Sequence, residues 1–166
     1  MRTEEKIGRM LKESGLSLSA AESCTGGRIS HLLTTVSGSS AYYLGSVTSY
    51  AVSVKEKVLG VPAGTVDAYG VVSAEVAAAM AEGVRRLTGS VFSVATTGLA
   101  EGSDGHYPEG TVWIAASGPM GTKTLLYQCQ GARRANISRF TTAALHFLSD
   151  YIGTYIKSNK STNKTI

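Results

Sequence analysis

The chain is poor in the residues that most often announce a function. Its 166 residues include two cysteines, three histidines, three prolines and one tryptophan. Cys24 and Cys129 are too few for a disulfide framework, which agrees with a reducing compartment. His31, His106 and His146 are scattered without ligand spacing, so no metal is expected. No apolar run approaches the roughly 20 residues that cross a bilayer, and no charged-then-apolar leader opens the chain. The sequence therefore reads as cytoplasmic, with no membrane partner. Asn136, Asn159 and Asn163 each head an N-x-S/T triplet, which without a secretion signal carries no meaning.

A strong excess of one charge sign is also missing. The net charge is +4, but Lys157, Lys160 and Lys164 supply three of these charges from a stretch without acids. Without residues 157–166 the body carries about +1, which argues against a basic groove and against nucleic acid as a partner. That stretch is expected to be a basic, disordered tail. Residues 1–156 are long enough for a single domain with a substantial core.

What the chain does contain is an alternation of helical and strand patterns. Thr3 followed by Glu4 and Glu5 predicts a helix start, Ile7, Met10 and Leu11 its apolar stripe, and Gly15 its end. A short strand at about 16–21 follows. Ile29, Leu32, Leu33 and Val36 predict a second helix closing near Gly38. Residues 45–50 alternate as a strand, and Lys55 to Leu59 form a short helix stopped by Gly60 and Pro62. Ser73 caps a helix turning Val76, Ala79, Met80 and Leu87 inward; Val91 to Ala95 is a buried strand that takes Phe92 into the core, where Trp113 is also expected. Residues 98–110 form a long loop, residues 111–116 and 123–129 a hairpin, and Ile137 to Tyr155 a final amphipathic helix. The fold class is α/β: a three-layer α/β/α sandwich around a mixed, mostly parallel sheet.

One segment concentrates chemical potential. Ala21-Glu22-Ser23-Cys24-Thr25-Gly26-Gly27 places Ser23 at a tight turn between a strand and a helix. Backbone N–H groups and the positive helix end would welcome an anion there, or stabilise the oxyanion of a serine nucleophile. Three further candidates follow: Tyr50, Lys55 and Thr97. A lysine activates a serine only when burial or a cationic neighbour, here Arg133 or Arg139, lowers its pKa. Tyr50 and Lys55 are five apart, about 140° on one helix, so they converge only across a strand-to-helix turn. That spacing excludes the Tyr-x-x-x-Lys dyad of short-chain dehydrogenases. Glu22 is accounted for by the helix dipole, and Cys24 reads as a small packed thiol.

These residues, with Gly38-Ser39-Ser40, Leu59-Gly60-Val61, Gly70-Val71-Val72-Ser73, Met80-Ala81-Glu82-Gly83, Thr97-Gly98-Leu99-Ala100 and Pro108-Glu109-Gly110-Thr111-Val112 in order, resemble the CinA C-terminal family across roughly residues 4–150. The resemblance implies a nicotinamide-nucleotide amidohydrolase that converts nicotinamide mononucleotide to nicotinate mononucleotide and ammonia without a cofactor. It implies Ser23 as nucleophile, Lys55 as general base, Tyr50 as orienting or relaying group, and Thr97 as a helper at the carbonyl or ribose. Thr25, Gly26, Gly27, Gly98 and Arg133 become substrate contacts. The implied partner is a small-molecule nucleotide, and the family's habit of self-association implies a homo-oligomer.

Against the family's pattern, Ala51-Val52 follow Tyr50, and residues 100–105 carry Glu101 and Asp104. Gly131-Ala132-Arg133 keeps an arginine but lacks an acid, and Asn136 stands where the family's next arginine falls. The alternative these departures leave open is a catalytically drifted paralogue, acting as a nucleotide- or phosphate-binding or regulatory module.

Overall fold

Acids at one end and a glycine at the other delimit the first element, α1 (Thr3–Ser14). Glu4 and Glu5 lie in its first turn, where the dipole favours negative charge. The cap is Arg2 rather than Thr3: the Arg2 backbone N–H donates to Glu5 Oε2 at 3.0 Å, and its guanidinium holds the same carboxylate. Gly15, at φ 65°, closes the helix. The structure, a computed structural model, describes residues 1–162.

Five strands form one sheet: β1 (Leu18–Glu22), β2 (Tyr43–Thr48), β3 (Phe92–Leu99), β4 (Thr111–Gly118) and β5 (Gly121–Gln128). Their order is β2-β1-β3-β4-β5. β1, β2 and β3 pair in parallel, and β4 runs against both β3 and β5. The sheet is mixed, with β4 alone opposing the other strands. The hairpin lies where expected, Gly118 pairing with Gly121 across Pro119-Met120. β2 ends at Thr48, earlier than the pattern suggested, which leaves Tyr50 in the turn that follows. β3 runs on to Leu99, so Gly98 and Leu99 belong to a strand and not to the long loop.

Alternation along the strands sorts their side chains into two cores. Ala20, Val94 and Ile114 join Ile7, Leu11, Phe140 and Leu148 on one face. Ala21, Ala95 and Ala115 join Val76, Met80 and Val84 on the other. The first face is covered by α1, α2 (Arg28–Thr34) and α6 (Arg133–Thr162), the second by α5 (Ala74–Thr88) with α3 (Val52–Leu59) and α4 (Ala63–Tyr69) beside it. This is the three-layer arrangement. Phe92 anchors the first core, with Tyr151 and Tyr155 set edge-on at 6.0 and 5.4 Å between centroids. Trp113 is only partly buried and packs against the second core.

Several local readings need correction. α2 stops at Thr34 and a single 3-10 turn at Ser39–Ala41 follows. α4 was not anticipated because it buries no residue and so shows no apolar stripe. Leu87 is 56% exposed, since the packed stripe of α5 ends at Val84. α6 continues through Thr162, into the stretch expected to be a disordered tail. Residues 163–166 of that stretch lie outside the described residues.

Gly83 fixes how closely α5 approaches α3. A Cβ there would sit 2.0 Å from the carbonyl oxygen of Leu59. Gly83→Ala gains roughly 1 kcal/mol of helix propensity, yet the collision with backbone wins. We expect a net loss of about 2–3 kcal/mol, read as a lowered denaturation midpoint, together with a loss of function because α3 carries Lys55.

Candidate active site

The candidate residues gather at the carboxyl ends of β1, β2 and β3. From β1 the chain connects to β2 on one side, while β3 lies on the other. That is a topological switch point, where open α/β sheets leave a crevice for ligands. Ser23 directly follows β1. Its backbone N–H donates to the Thr96 carbonyl at 3.1 Å, and its own carbonyl accepts from Gly26 N at 3.1 Å, which sets a tight turn. Gly26 and Gly27, at φ 60° and 95°, carry the chain from that turn into α2.

The positive end of α2 is occupied from within the chain. The Glu22 carboxylate is fully buried. Its Oε2 accepts from Thr25 Oγ1 at 2.7 Å, Gly27 N at 3.1 Å and Ile29 N at 3.0 Å, and its Oε1 accepts from Ser30 N at 2.8 Å. A substrate anion would have to displace Glu22 from three hydrogen bonds to reach those amides. Thr25 also bonds Thr96, at 2.8 Å. Thr25, Gly26 and Gly27 do not line the neighbouring cavity. In this structure they build and brace the turn that presents Ser23.

Lys55 reaches that turn from α3. It is fully buried, and its Nζ lies 2.9 Å from Ser23 Oγ, 2.6 Å from the Ser49 carbonyl and 3.2 Å from the Tyr50 carbonyl. Burial lowers its pKa from the ordinary lysine value, with a lesser opposing influence from Cys24. Of the two causes anticipated, burial or a cationic neighbour, burial is the one that perturbs the amine. Once neutral, the amine has two N–H groups for the two carbonyls and a lone pair for the Ser23 hydroxyl proton. The set is equipped to take a proton from Ser23. Cys24, in contrast, is a buried thiol whose pKa desolvation pushes up to about 12, far from a reactive thiolate at neutral pH.

Tyr50 joins the site in a different way from the one expected. Its carbonyl meets Lys55, but its side chain is 62% exposed and its hydroxyl accepts from Arg133 Nη2 at 2.9 Å. In this structure the phenol bonds Arg133, and Ser23 and Lys55 meet without it. Thr97 donates its hydroxyl to the Val71 carbonyl at 2.8 Å and so ties β3 to the segment before α5. Gly98 keeps β3 against β4, since a Cβ there would meet the Thr111 carbonyl at 2.4 Å. Ser23, Tyr50, Thr97, Gly98 and Arg133 all line one cavity of about 530 Å³. Its far wall comes from Tyr69, Gly70, Val71 and Val72, and from Glu101, Asp104 and His106. Gly70-Val71-Val72 carried only a family register in the sequence, with no role assigned to it. Asn136 is fully buried, and its amide donates to the carbonyls of Ala100 at 2.9 Å and Gly131 at 2.7 Å, joining the loops on that side.

A buried serine–lysine pair at the switch point of a mixed sheet, opening on a cavity of small-molecule size, defines an α/β domain with a nucleophile-type site. The chain belongs to the CinA C-terminal domain family, whose model matches residues 1–152. A putative competence-damage inducible protein of Desulforamulus reducens is 46% identical over 151 residues, which cover 87% of this chain and 36% of that protein. A CinA-like protein of Chlorobium limicola is 40% identical over 161 residues, with 90% and 38% covered. The chain spans little more than a third of the length of these curated relatives. Among solved structures, a CinA superfamily protein from Klebsiella pneumoniae 700603 superposes with a TM-score of 0.88 at 28% identity, covering 92% of this chain and 96% of that one. Competence damage-inducible protein A of Klebsiella pneumoniae subsp. pneumoniae MGH 78578 superposes with a TM-score of 0.87 at 30% identity, covering 92% and 98%. Among the described residues, no helix is long and apolar enough to cross a membrane.

Proposed function

We propose that this domain is an amidohydrolase that deamidates nicotinamide mononucleotide, with Ser23 as nucleophile and Lys55 as its general base. The observation that carries the reading is the 2.9 Å contact between Lys55 Nζ and Ser23 Oγ, made by a lysine wholly removed from solvent. The substrate class follows from the resemblance of the motifs to the nicotinamide-nucleotide amidohydrolases. Neutral Lys55 takes the Ser23 proton as Oγ attacks the carboxamide carbon. The C–N bond then breaks, the Lys55 ammonium returns the proton to the departing nitrogen, and ammonia leaves an ester on Ser23. Water repeats the cycle: Lys55 takes its proton, hydroxide adds to the ester, and the proton goes back to Ser23 Oγ as nicotinate mononucleotide is released. No step calls for a cofactor. The protein works in this reading as a soluble cytoplasmic enzyme on a small nucleotide, as a homo-oligomer.

The test is product analysis with the purified parent protein. Ammonia and nicotinate mononucleotide formed in equal amounts support the reading. A folded parent that forms neither contradicts it.

A further inference from the structure

Arg133 stands against the electrostatics of its own helix. It opens α6, where the dipole disfavours a cation, and the first turn of that helix contains no acid. Its counter-ion comes instead from across the cavity. Arg133 Nη1 donates to Glu101 Oε1 at 2.9 Å, and Nη2 donates to the Tyr50 hydroxyl at 2.9 Å. The three side chains come from three separate segments and line the same cavity as Ser23. Glu101 is held in reach by Asn136, whose amide donates to the carbonyl of the preceding residue, Ala100. A guanidinium so placed would suit a phosphate oxyanion on a small substrate, but its charge is already engaged.

We infer that Glu101 is a specificity-determining residue, an internal carboxylate that holds Arg133 in the place of a substrate phosphate and must yield before a phosphate monoester binds. The inference rests on the amidohydrolase reading for the identity of the substrate but not for the phosphate competition itself. Asp104 lines the same cavity and keeps its negative charge, because the backbone amides of Tyr107 and His106 hold its carboxyl below the usual range. It adds to the repulsion that an incoming phosphate meets. The Arg133 and Glu101 side chains are 42% and 61% exposed, so their pair is weak and exchangeable rather than locked. The site thus admits a phosphate monoester only at a cost in affinity.

The experiment measures inorganic phosphate binding by calorimetry to the parent, to Glu101→Gln, and to Glu101→Gln combined with Arg133→Gln. Phosphate binding is expected to tighten about three- to fivefold in Glu101→Gln, the scale of an exposed ion pair, and to lose that gain when Arg133 is also replaced. In turnover, Glu101→Gln lowers KM for nicotinamide mononucleotide by a similar factor and does not lower it for the corresponding riboside. Equal phosphate affinity in parent and Glu101→Gln, no phosphate binding in either, or a gain that persists without Arg133 overturns the inference. Tighter phosphate binding without ammonia release from either protein keeps the inference and removes the deamidation reading.

Discussion

Lys55→Met is expected to reduce kcat for ammonia release by about a thousandfold or more, as loss of one member of a nucleophile–base pair does. Methionine fills a similar volume but offers no lone pair to Ser23, and an unassisted serine hydroxyl is a poor nucleophile near neutral pH. The parent has a second signature that the variant lacks. Because burial lowers the Lys55 pKa, kcat/KM of the parent rises with pH as the amine loses its proton, with a midpoint below the ordinary 10.5. Stability follows the same group. Between the lowered folded pKa and the unfolded value the unfolded chain binds more protons, so folding stability increases with pH across that window. Below it the cost of burying the ammonium is present in full. Chemical denaturation of the parent and Lys55→Met at several pH values should show this slope in the parent alone. A parent whose activity and stability are both flat through the window would remove Lys55 from the mechanism.

Ser23→Ala is expected to be as damaging to turnover and far milder for the fold. The structural bonds of residue 23 are made by its backbone, to Thr96 and from Gly26. Removing Oγ costs Lys55 one of three partners, since the Ser49 and Tyr50 carbonyls remain. That is worth about 1 kcal/mol of stability, against at least about a thousandfold in kcat. Cys24 cannot take over. Burial pushes the pKa of its thiol up to about 12, far from a reactive thiolate at neutral pH. Ammonia release and the denaturation midpoint, measured on the same preparation, check both halves. A Ser23→Ala protein that keeps most of the parent's turnover would exclude Ser23 as nucleophile.

The layers and most strands were legible because they follow from periodicity. Phe140, Ala144, Leu148 and Ile152 recur at helical spacing and are all buried on α6, as read. α4 was invisible because none of its residues is buried, and the length of α6 beyond residue 156 was hidden by a polar run that packing does not decide. At the site, the turn presenting Ser23 and its meeting with Lys55 were readable from residue type and family register. The fate of Tyr50 was not. Its five-residue spacing from Lys55 fixes where the backbone goes, and it is the backbone carbonyl that meets the lysine. Where the phenol turns depends on Arg133, which is remote in sequence. Glu22 shows the same limit in another form. The helix dipole accounted for an acid at that place, but only the fold reveals that this acid consumes the amides assigned to a substrate anion. Asn136 read only as a missing arginine, because its two carbonyl partners lie on loops brought together by tertiary structure.

The central claim is that Ser23 carries the acyl group, and deamidation in the presence of hydroxylamine tests it most directly. A serine ester formed after ammonia leaves partitions between water and the added nucleophile. The account predicts that the hydroxamate of the nucleotide accumulates at the expense of nicotinate mononucleotide, and that Ser23→Ala forms neither. Undiminished acid formation with no hydroxamate would mean that water attacks the amide directly, and Ser23 would lose the role assigned to it.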